Sequence, residues 1–257
     1  MGGIAAIARQ AGHRVTGCDA NVYPPMSTQL EAQGIQLIEG FSPDQLLQFE
    51  TMPDLFVIGN VVSRGNPLME AILNQGLPYI SGPQWLGEQV LYGRHVLAVA
   101  GTHGKTTTSS MATVAFQACG TDPSFAIGGT LTASGSNAHR GSGEFFIAEA
   151  DESDGSFVAY HPRAAIVTNV EHDHVDFFAT AEDVSNVFQN FAQTIPANGY
   201  LIYCNDDPGS RSLGENVNHC ATFSYGTAPD SDLKIDQVEL TSQGSRARAI
   251  WKGTVVG

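Results

Sequence analysis

The chain has no apolar run long enough to cross a membrane, no basic head with a small-residue cleavage site at MGGIAAIARQ, and no C-x-x-C pair. The first two absences give no sign of a membrane-spanning helix or a secretory leader. Cys18, Cys119, Cys204 and Cys220 lie far apart, which fits buried thiols in a reducing cytosol better than a disulfide framework or a zinc site. Basic residues are also scarce. Twelve Lys and Arg stand against 26 Asp and Glu, a formal charge of -14, which argues against nucleic acid as a partner. An anionic ligand must then be held by local devices: backbone amides, a few basic side chains and a divalent cation.

With 257 residues, 42% of them hydrophobic, the chain can bury a sizeable core and has room for two domains. The most informative stretch is HVLAVAGTHGKTTTSS, from His95 to Ser110. An apolar run, Val96 to Ala100, leads into Gly101, Thr102, His103, Gly104, Lys105, Thr106 and Thr107, and then into a sequence able to continue as a helix to Ala118. Strand, glycine loop and helix in this order make a phosphate cradle: glycines let the backbone wrap phosphate oxygens, helix-start N–H groups point at them, and Lys105 supplies charge. Thr106 is placed to offer its hydroxyl to Mg2+. The full G-x-x-x-x-G-K-[ST] pattern is not met, because Val99 stands at the first glycine position. A plain glycine turn with a stray lysine is the competing reading.

Upstream, Ile4, Ile7 and Ala8 suit an amphipathic helix ending at Gly12, and Val15 to Cys18 a strand ending at Asp19. A helix followed by a strand lacks the opening strand and glycine loop of a dinucleotide-type fold, so Met1 to Gly3 are expected at a truncated edge. Asp19, at a strand end, is either a ribose or base ligand or a solvated carboxylate. Further helices are expected at Ser27–Gln33, from Pro67 to Gly76 and at Gln84–Leu91, and strands at Ile35–Glu39, Asp54–Gly59 and Pro78–Ile80. This alternation predicts one parallel sheet with helices on its faces over residues 1–92, and a second α/β unit over 93–257.

In the second unit, Phe125 to Ile127 reads as strand and Gly128 to Gly143 as a polar loop, plain or closing over a ligand, with His139 and Arg140 as its candidates for an anion. The strand Phe145 to Ala148 delivers Glu149, Asp151, Glu152 and Asp154, carboxylates that repel one another unless a cation sits among them. Glu149 is the first choice as a Mg2+ ligand, against a solvated acidic turn. The strand Ala164 to Thr168 delivers Asn169, Glu171, His172, Asp173, His174 and Asp176. These could bind zinc, but beside a phosphate loop they more naturally complete an ATP–Mg2+ site, with His174 on metal or phosphate. Val184, Val187, Phe188 and Phe191 put the core face on a helix over 181–192, and Ala221 to Trp251 alternates in the manner of antiparallel strands, stopping without a closing helix, so that end too is expected to be cut.

GTHGKTTT, EADESDGSF, TNVEHDHVD and NDDPGSR, in this order, resemble the central ATP-binding domain of the Mur ligases, which build the peptide of bacterial cell-wall precursors. From Phe125 to Arg211 the wording is similar to the L-alanine-adding branch. GCDANVYPPMSTQLEAQGI and PYISGPQWL resemble instead the branch that recycles a tripeptide onto UDP-N-acetylmuramate. The resemblance implies a cytoplasmic bacterial enzyme that uses ATP and Mg2+, with UDP-N-acetylmuramate and an amino acid or peptide acceptor as partners, joined through an acyl phosphate. By motif position it implies Lys105 on the transferred phosphoryl group, Gly101 to Thr107 and Asn169 around the nucleotide, and Thr106, Glu149 and His174 on Mg2+. It also implies Asp19, Ser63 and Asn66 on the uridine-diphosphate side and His139 near the muramoyl group. The family's first glycine loop, R-H-N adenine motif and acceptor domain are not found in these 257 residues. The carbamylated lysine of many relatives is absent too, since no lysine lies between Lys105 and Lys234, which agrees with the alanine-adding branch.

Three functions follow. The first is a UDP-N-acetylmuramate ligase with L-alanine as acceptor, the tripeptide being second; the next is a nucleotide-binding relative that does not turn over. A small-molecule P-loop kinase is disfavoured because no arginine-bearing lid follows the loop.

Overall fold

The computed structural model describes residues 1–153, 155–173 and 177–257. The first third alternates helix and strand: α1 (Gly2–Gln10), β1 (Thr16–Asp19), α2 (Met26–Ala32), β2 (Gln36–Glu39), β3 (Phe56–Ile58), α3 (Pro67–Asn74), β4 (Tyr79–Ser81) and α4 (Gly82–Leu86). α3 starts where the sequence signals it, with the Asn66 side chain accepting from the Met69 N–H and Pro67 in the first turn. α4 passes into a wider π-type turn over Gly87–Leu91. Gly87 lies against the Ala159 carbonyl so closely that a Cβ would not fit.

The expected single parallel sheet over residues 1–92 is not found. β1 pairs only with β2 and β3 only with β4, both parallel, and the two pairs are joined by packing. Cys18 of β1 packs against the cluster of Leu46, Leu68 and Ile72 that also takes Phe56 and Ile58 of β3. Strands of three and four residues offer few ladder hydrogen bonds, and here apolar contact does the joining.

The remainder builds one ten-stranded mixed sheet. Its elements are β5 (His95–Ala100), α5 (Lys105–Ala118), β6 (Ser124–Leu131), β7 (Ser136–His139), β8 (Phe145–Glu149), β9 (Ala164–Val167), α6 (Ala181–Gln193), β10 (Tyr200–Cys204), α7 (Pro208–Asn216), β11 (Ala221–Gly226), β12 (Leu233–Thr241), β13 (Gly244–Trp251) and β14 (Thr254–Val255). The strand order is β14-β13-β12-β11-β10-β9-β5-β8-β6-β7. β6, β8, β5, β9, β10 and β11 run parallel, with β7 antiparallel at one edge.

Side chains alternate across the central strands, so both faces are covered. Ala98, Ala100, Phe146 and Ala148 point to a core with Phe157, Phe188 and Phe191, in which the Phe157 and Phe191 rings stack at 4.5 Å. Leu97, Ile147, Phe125 and Ile127 point to the other face, where Ala112 and Phe116 of α5 cover them. α6 presents Val184, Phe188 and Phe191 as its periodicity predicts, and begins at a capping box of Thr180 and Asp183.

Three further expectations change. Residues 128–143 are not a plain loop: β6 runs on to Leu131 and returns as β7, with Phe125 opposite His139. Its glycines and serines hide the apolar alternation, leaving Leu131 and Ala138 as the buried anchors. In the tail, β11 joins β10 in parallel, and only β12 to β14 are antiparallel neighbours. The cysteines are unpaired but not fully buried; Cys119 is exposed and the other three are half-buried. No described helix is long and apolar enough to cross a membrane.

Phe188, fully enclosed, should cost about 3–5 kcal/mol when cut to alanine, whereas Leu47→Ala at an exposed site should stay within about 0.5 kcal/mol. Urea midpoints of the two variants check the assignment of the core.

Candidate functional site

The parallel strands end on one edge of the sheet, and β5 lies at its centre with β8 on one side and β9 on the other. The chain leaves β5 toward β6, β7 and β8 and later crosses to β9, β10 and β11, so strand order reverses at β5. A crevice opens at the carboxyl ends of such strands. The loop Gly101–Gly104 lies there.

Gly101 has φ +135°, and a Cβ on it would collide with the Thr168 hydroxyl. Gly104, at φ +83°, turns the chain into α5, whose start no side chain caps. The first N–H groups of that helix therefore face the crevice without intrahelical partners. Residues after β9 strap the loop from outside. Thr168 Oγ1 donates to the His103 carbonyl at 2.6 Å, and Asn169 Oδ1 accepts from the His103 N–H at 2.8 Å while its Nδ2 donates to the His103 carbonyl. Thr102 Oγ1 accepts from the Glu171 N–H at 2.9 Å and donates to the Glu171 carbonyl at 3.2 Å. Asn169 thus uses its side chain as a brace of the loop.

Lys105 Nζ donates to the Gly101 carbonyl at 2.8 Å and to Glu152 Oε2 and Oε1 at 2.7 and 3.0 Å. Glu152 is buried, with 1% of its surface exposed. In the sequence it was one of four carboxylates; only its place three residues past the end of β8 hinted at this pairing. Thr106 Oγ1 donates to Glu149 Oε1 at 2.8 Å, and Glu149 Oε2 accepts from the Gly128 N–H at 2.6 Å. Thr107, in the first turn of α5, is exposed.

The donor chemistry suits Mg2+ and phosphate. Hydroxyl and carboxylate oxygens from Thr106 and Glu149 are hard ligands, and the glycine turn with an open helix start suits an anion. Among the described residues no three His, Cys, Asp or Glu converge as a metal cage. Mg2+ commonly takes one or two protein oxygens and fills its shell from phosphate and water. His174, together with Asp154 and Asp176, lies outside the described residues. His172 Nε2 is 3.1 Å from the Phe178 carbonyl, and Asp151 Oδ2 accepts from the Ser153 hydroxyl.

On the same sheet edge, beyond β10, an open cleft is lined by Asn205, Asp206, Pro208, Arg211, Ser212 and Thr227. Burial alone would raise the Asp206 carboxyl, but N–H donors of Thr227 and Ala228, the Thr227 hydroxyl and the Arg211 charge hold it below its usual range. Asp207 caps α7, accepting from the Ser210 N–H, and also accepts from the Val170 N–H, which ties this cleft to the strap on the phosphate loop.

The remaining predicted residues lie elsewhere. Asp19 is exposed at the end of β1, where its Oδ1 accepts from the Asn21 N–H. Ser63 is exposed, and Asn66 spends its side chain on capping α3. A small cleft beside them is lined by Gly59, Asn60, Val62, Tyr79 and Ser81, residues the sequence did not single out. His139 is 3.4 Å from Asp122 at the amino end of β6, away from Glu149, and Arg140 donates its backbone N–H to Gln10.

Comparison with known proteins puts a family to this geometry. Residues 99–256 match the Mur ligase middle domain, and residues 1–93 match the Mur ligase family, catalytic domain. The chain is 44% identical over 269 residues to the UDP-N-acetylmuramate--L-alanyl-gamma-D-glutamyl-meso-2,6-diaminoheptandioate ligase of Escherichia coli strain K12, covering all of this chain and 56% of that protein. It is 42% identical to the UDP-N-acetylmuramate--L-alanine ligase of Arthrobacter sp. strain FB24, over 91% of this chain and 50% of that protein. The crystal structure of the UDP-N-acetylmuramate:L-alanyl-gamma-D-glutamyl-meso-diaminopimelate ligase from Neisseria meningitides matches with TM-score 0.89 at 40% identity, over 99% of this chain and 82% of that one. The chain spans about half the length of the curated relatives it matches. Strand order, phosphate loop and these matches agree that the chain belongs to the Mur ligase family.

Proposed function

We propose that this chain serves ATP-dependent amide-bond formation on UDP-N-acetylmuramate, with the L-Ala-γ-D-Glu-meso-diaminopimelate tripeptide as acceptor. The observation that carries the reaction class is the group of Lys105, Thr106 and Glu149 beneath an open helix start, in a chain of this family. Phosphoryl transfer to the lactyl carboxylate gives an acyl phosphate; the acceptor amine attacks its carbonyl carbon, and phosphate leaves from the tetrahedral adduct. Lys105 and the α5 amides hold the phosphoryl oxygens and offset charge as it moves. Thr106 and Glu149 would hold Mg2+, which would supply neutralisation of phosphate charge. Asn169, Thr168 and Thr102 keep the loop in register, so positioning is preset before nucleotide arrives.

The acceptor expected from the central motifs, L-alanine, gives way to the tripeptide. Two relatives, in Escherichia coli and Haemophilus influenzae, carry the tripeptide name at 44% and 46% identity over 100% and 79% of this chain. The tripeptide ligase structure from Neisseria meningitides matches at 40% identity, against 21% for the alanine ligase structure of Thermotoga maritima. The alanine reading retains support from relatives at 40–45% identity.

Full-length protein offered each acceptor, with product followed by mass spectrometry, should favour tripeptide over L-alanine in kcat/KM by about 100-fold or more. Preference for L-alanine would overturn the acceptor. Lys105→Ala should reduce turnover by roughly 100-fold or more, the scale of one preorganised donor; activity within tenfold of the parent would sink the phosphate-loop assignment. Glu149→Gln should raise the Mg2+ concentration needed for half-activity while leaving sugar-nucleotide affinity nearly unchanged, and equal loss of both would count against a metal role.

A further inference from the structure

We propose that Glu152 makes nucleotide binding at this loop conditional on a divalent cation, rejecting metal-free polyphosphate and admitting the metal-loaded form. The inference rests on the phosphate-loop reading above and extends it to a residue outside the expected ligand set.

An ammonium has three N–H donors. Those of Lys105 are all engaged in the protein: Gly101 carbonyl at 2.8 Å, Glu152 Oε2 at 2.7 Å, and Glu152 Oε1 at 3.0 Å with the Thr102 carbonyl at 3.4 Å. The Lys105 side chain is 13% exposed and that of Glu152 only 2%. The charge that should draw phosphate is therefore already neutralised by a carboxylate that water barely reaches. Asp151 stands 3.9 Å from the same ammonium, and Glu149 is bound to the neighbouring Thr106 hydroxyl. With one lysine beside three carboxylates, in a chain of net charge -14, the side chains here oppose a bare polyphosphate, and only the helix-start amides favour it.

A phosphate oxygen that takes a hydrogen bond from Lys105 must take it from Glu152 or from the loop carbonyls. It then lies within a few ångströms of a buried carboxylate of like charge. At an effective dielectric of about 20, a pair of like unit charges at about 5 Å would alone weaken binding by roughly a few hundredfold, and the Lys105 charge beside them lowers that to about tenfold or more. A doubly charged cation between the phosphates and Glu149 removes that repulsion, because the phosphate end then presents little net negative charge. Glu152 thus acts as a specificity-determining residue, by charge, on which form of the nucleotide is accepted.

The test measures ADP affinity of the full-length protein by titration calorimetry, in excess Mg2+ and in EDTA, for the parent and for Glu152→Gln. The parent should bind ADP at least about tenfold more tightly with Mg2+ than without. Glu152→Gln, which keeps shape and removes charge, should bind metal-free ADP about tenfold more tightly than the parent and change much less with Mg2+. Metal-free binding that is unchanged or weaker in a variant with the parent's melting temperature overturns the proposal. Should that variant not fold, the parent decides: in EDTA, affinity should stay flat or fall from AMP to ADP to ATP, and a rise above about tenfold overturns the proposal. A parent that binds no ADP even with Mg2+ overturns the phosphate-loop reading itself.

Discussion

The strap between the end of β9 and the glycine loop is the constraint on which the rest of the site depends. A backbone turned through φ +135° at Gly101 leaves its strand, and within the loop's own neighbourhood Lys105 reaches back to its carbonyls. Thr168, Asn169 and Glu171 supply the rest, through side-chain and backbone bonds to Thr102 and His103. Since β9 and β5 are hydrogen-bonded neighbours, a rigid sheet stands behind each of these bonds. The helix start, the lysine and the Thr106 hydroxyl inherit their positions from it.

A second consequence concerns charge. An acidic chain proposed to handle phosphate has few basic residues to rely on, and the arrangement here is local: backbone amides at a helix start, one lysine, and carboxylates suited to a cation. Glu149 connects two elements at once, accepting from Thr106 on α5 and from Gly128 on β6. The hairpin of β6 and β7 in turn carries the first third of the chain, because Gln10 accepts from the Arg140 N–H and Gln29 donates to the Gly135 carbonyl. The first third of the chain and the phosphate loop thus share one hairpin.

Much of this was legible in the sequence. The strand–loop–helix of residues 95–118, the acidic strand end at Glu149 and the core face of α6 are local patterns, and local patterns survive folding. Partnership was not legible. That Lys105 would meet Glu152 and that Asn169 would brace a loop depend on which strand ends lie side by side, and a single sequence does not order its strands. The β6–β7 hairpin was hidden for a different reason: glycine and serine leave no apolar alternation to read, so pairing there is visible only in the backbone. The short strands before residue 92 were found one by one, but their grouping into two pairs came from packing around Leu46, Leu68 and Ile72.

The two glutamine contacts also bear on the order in which the chain assembles. They link residues 130 and 106 positions apart, with no short-range nucleus between them. Closing such long loops costs chain entropy before any contact repays it, so structures rich in distant pairings form slowly. Gln10 also donates to Gln33 within the first third, but the bonds of Gln10 with Arg140 and of Gln29 with Gly135 wait for the hairpin, and the hairpin needs β8 beside it. α1 and α2 can bury Ala6 and Leu30 against each other early, but Ile7 of α1 reaches its core only when the central sheet is built.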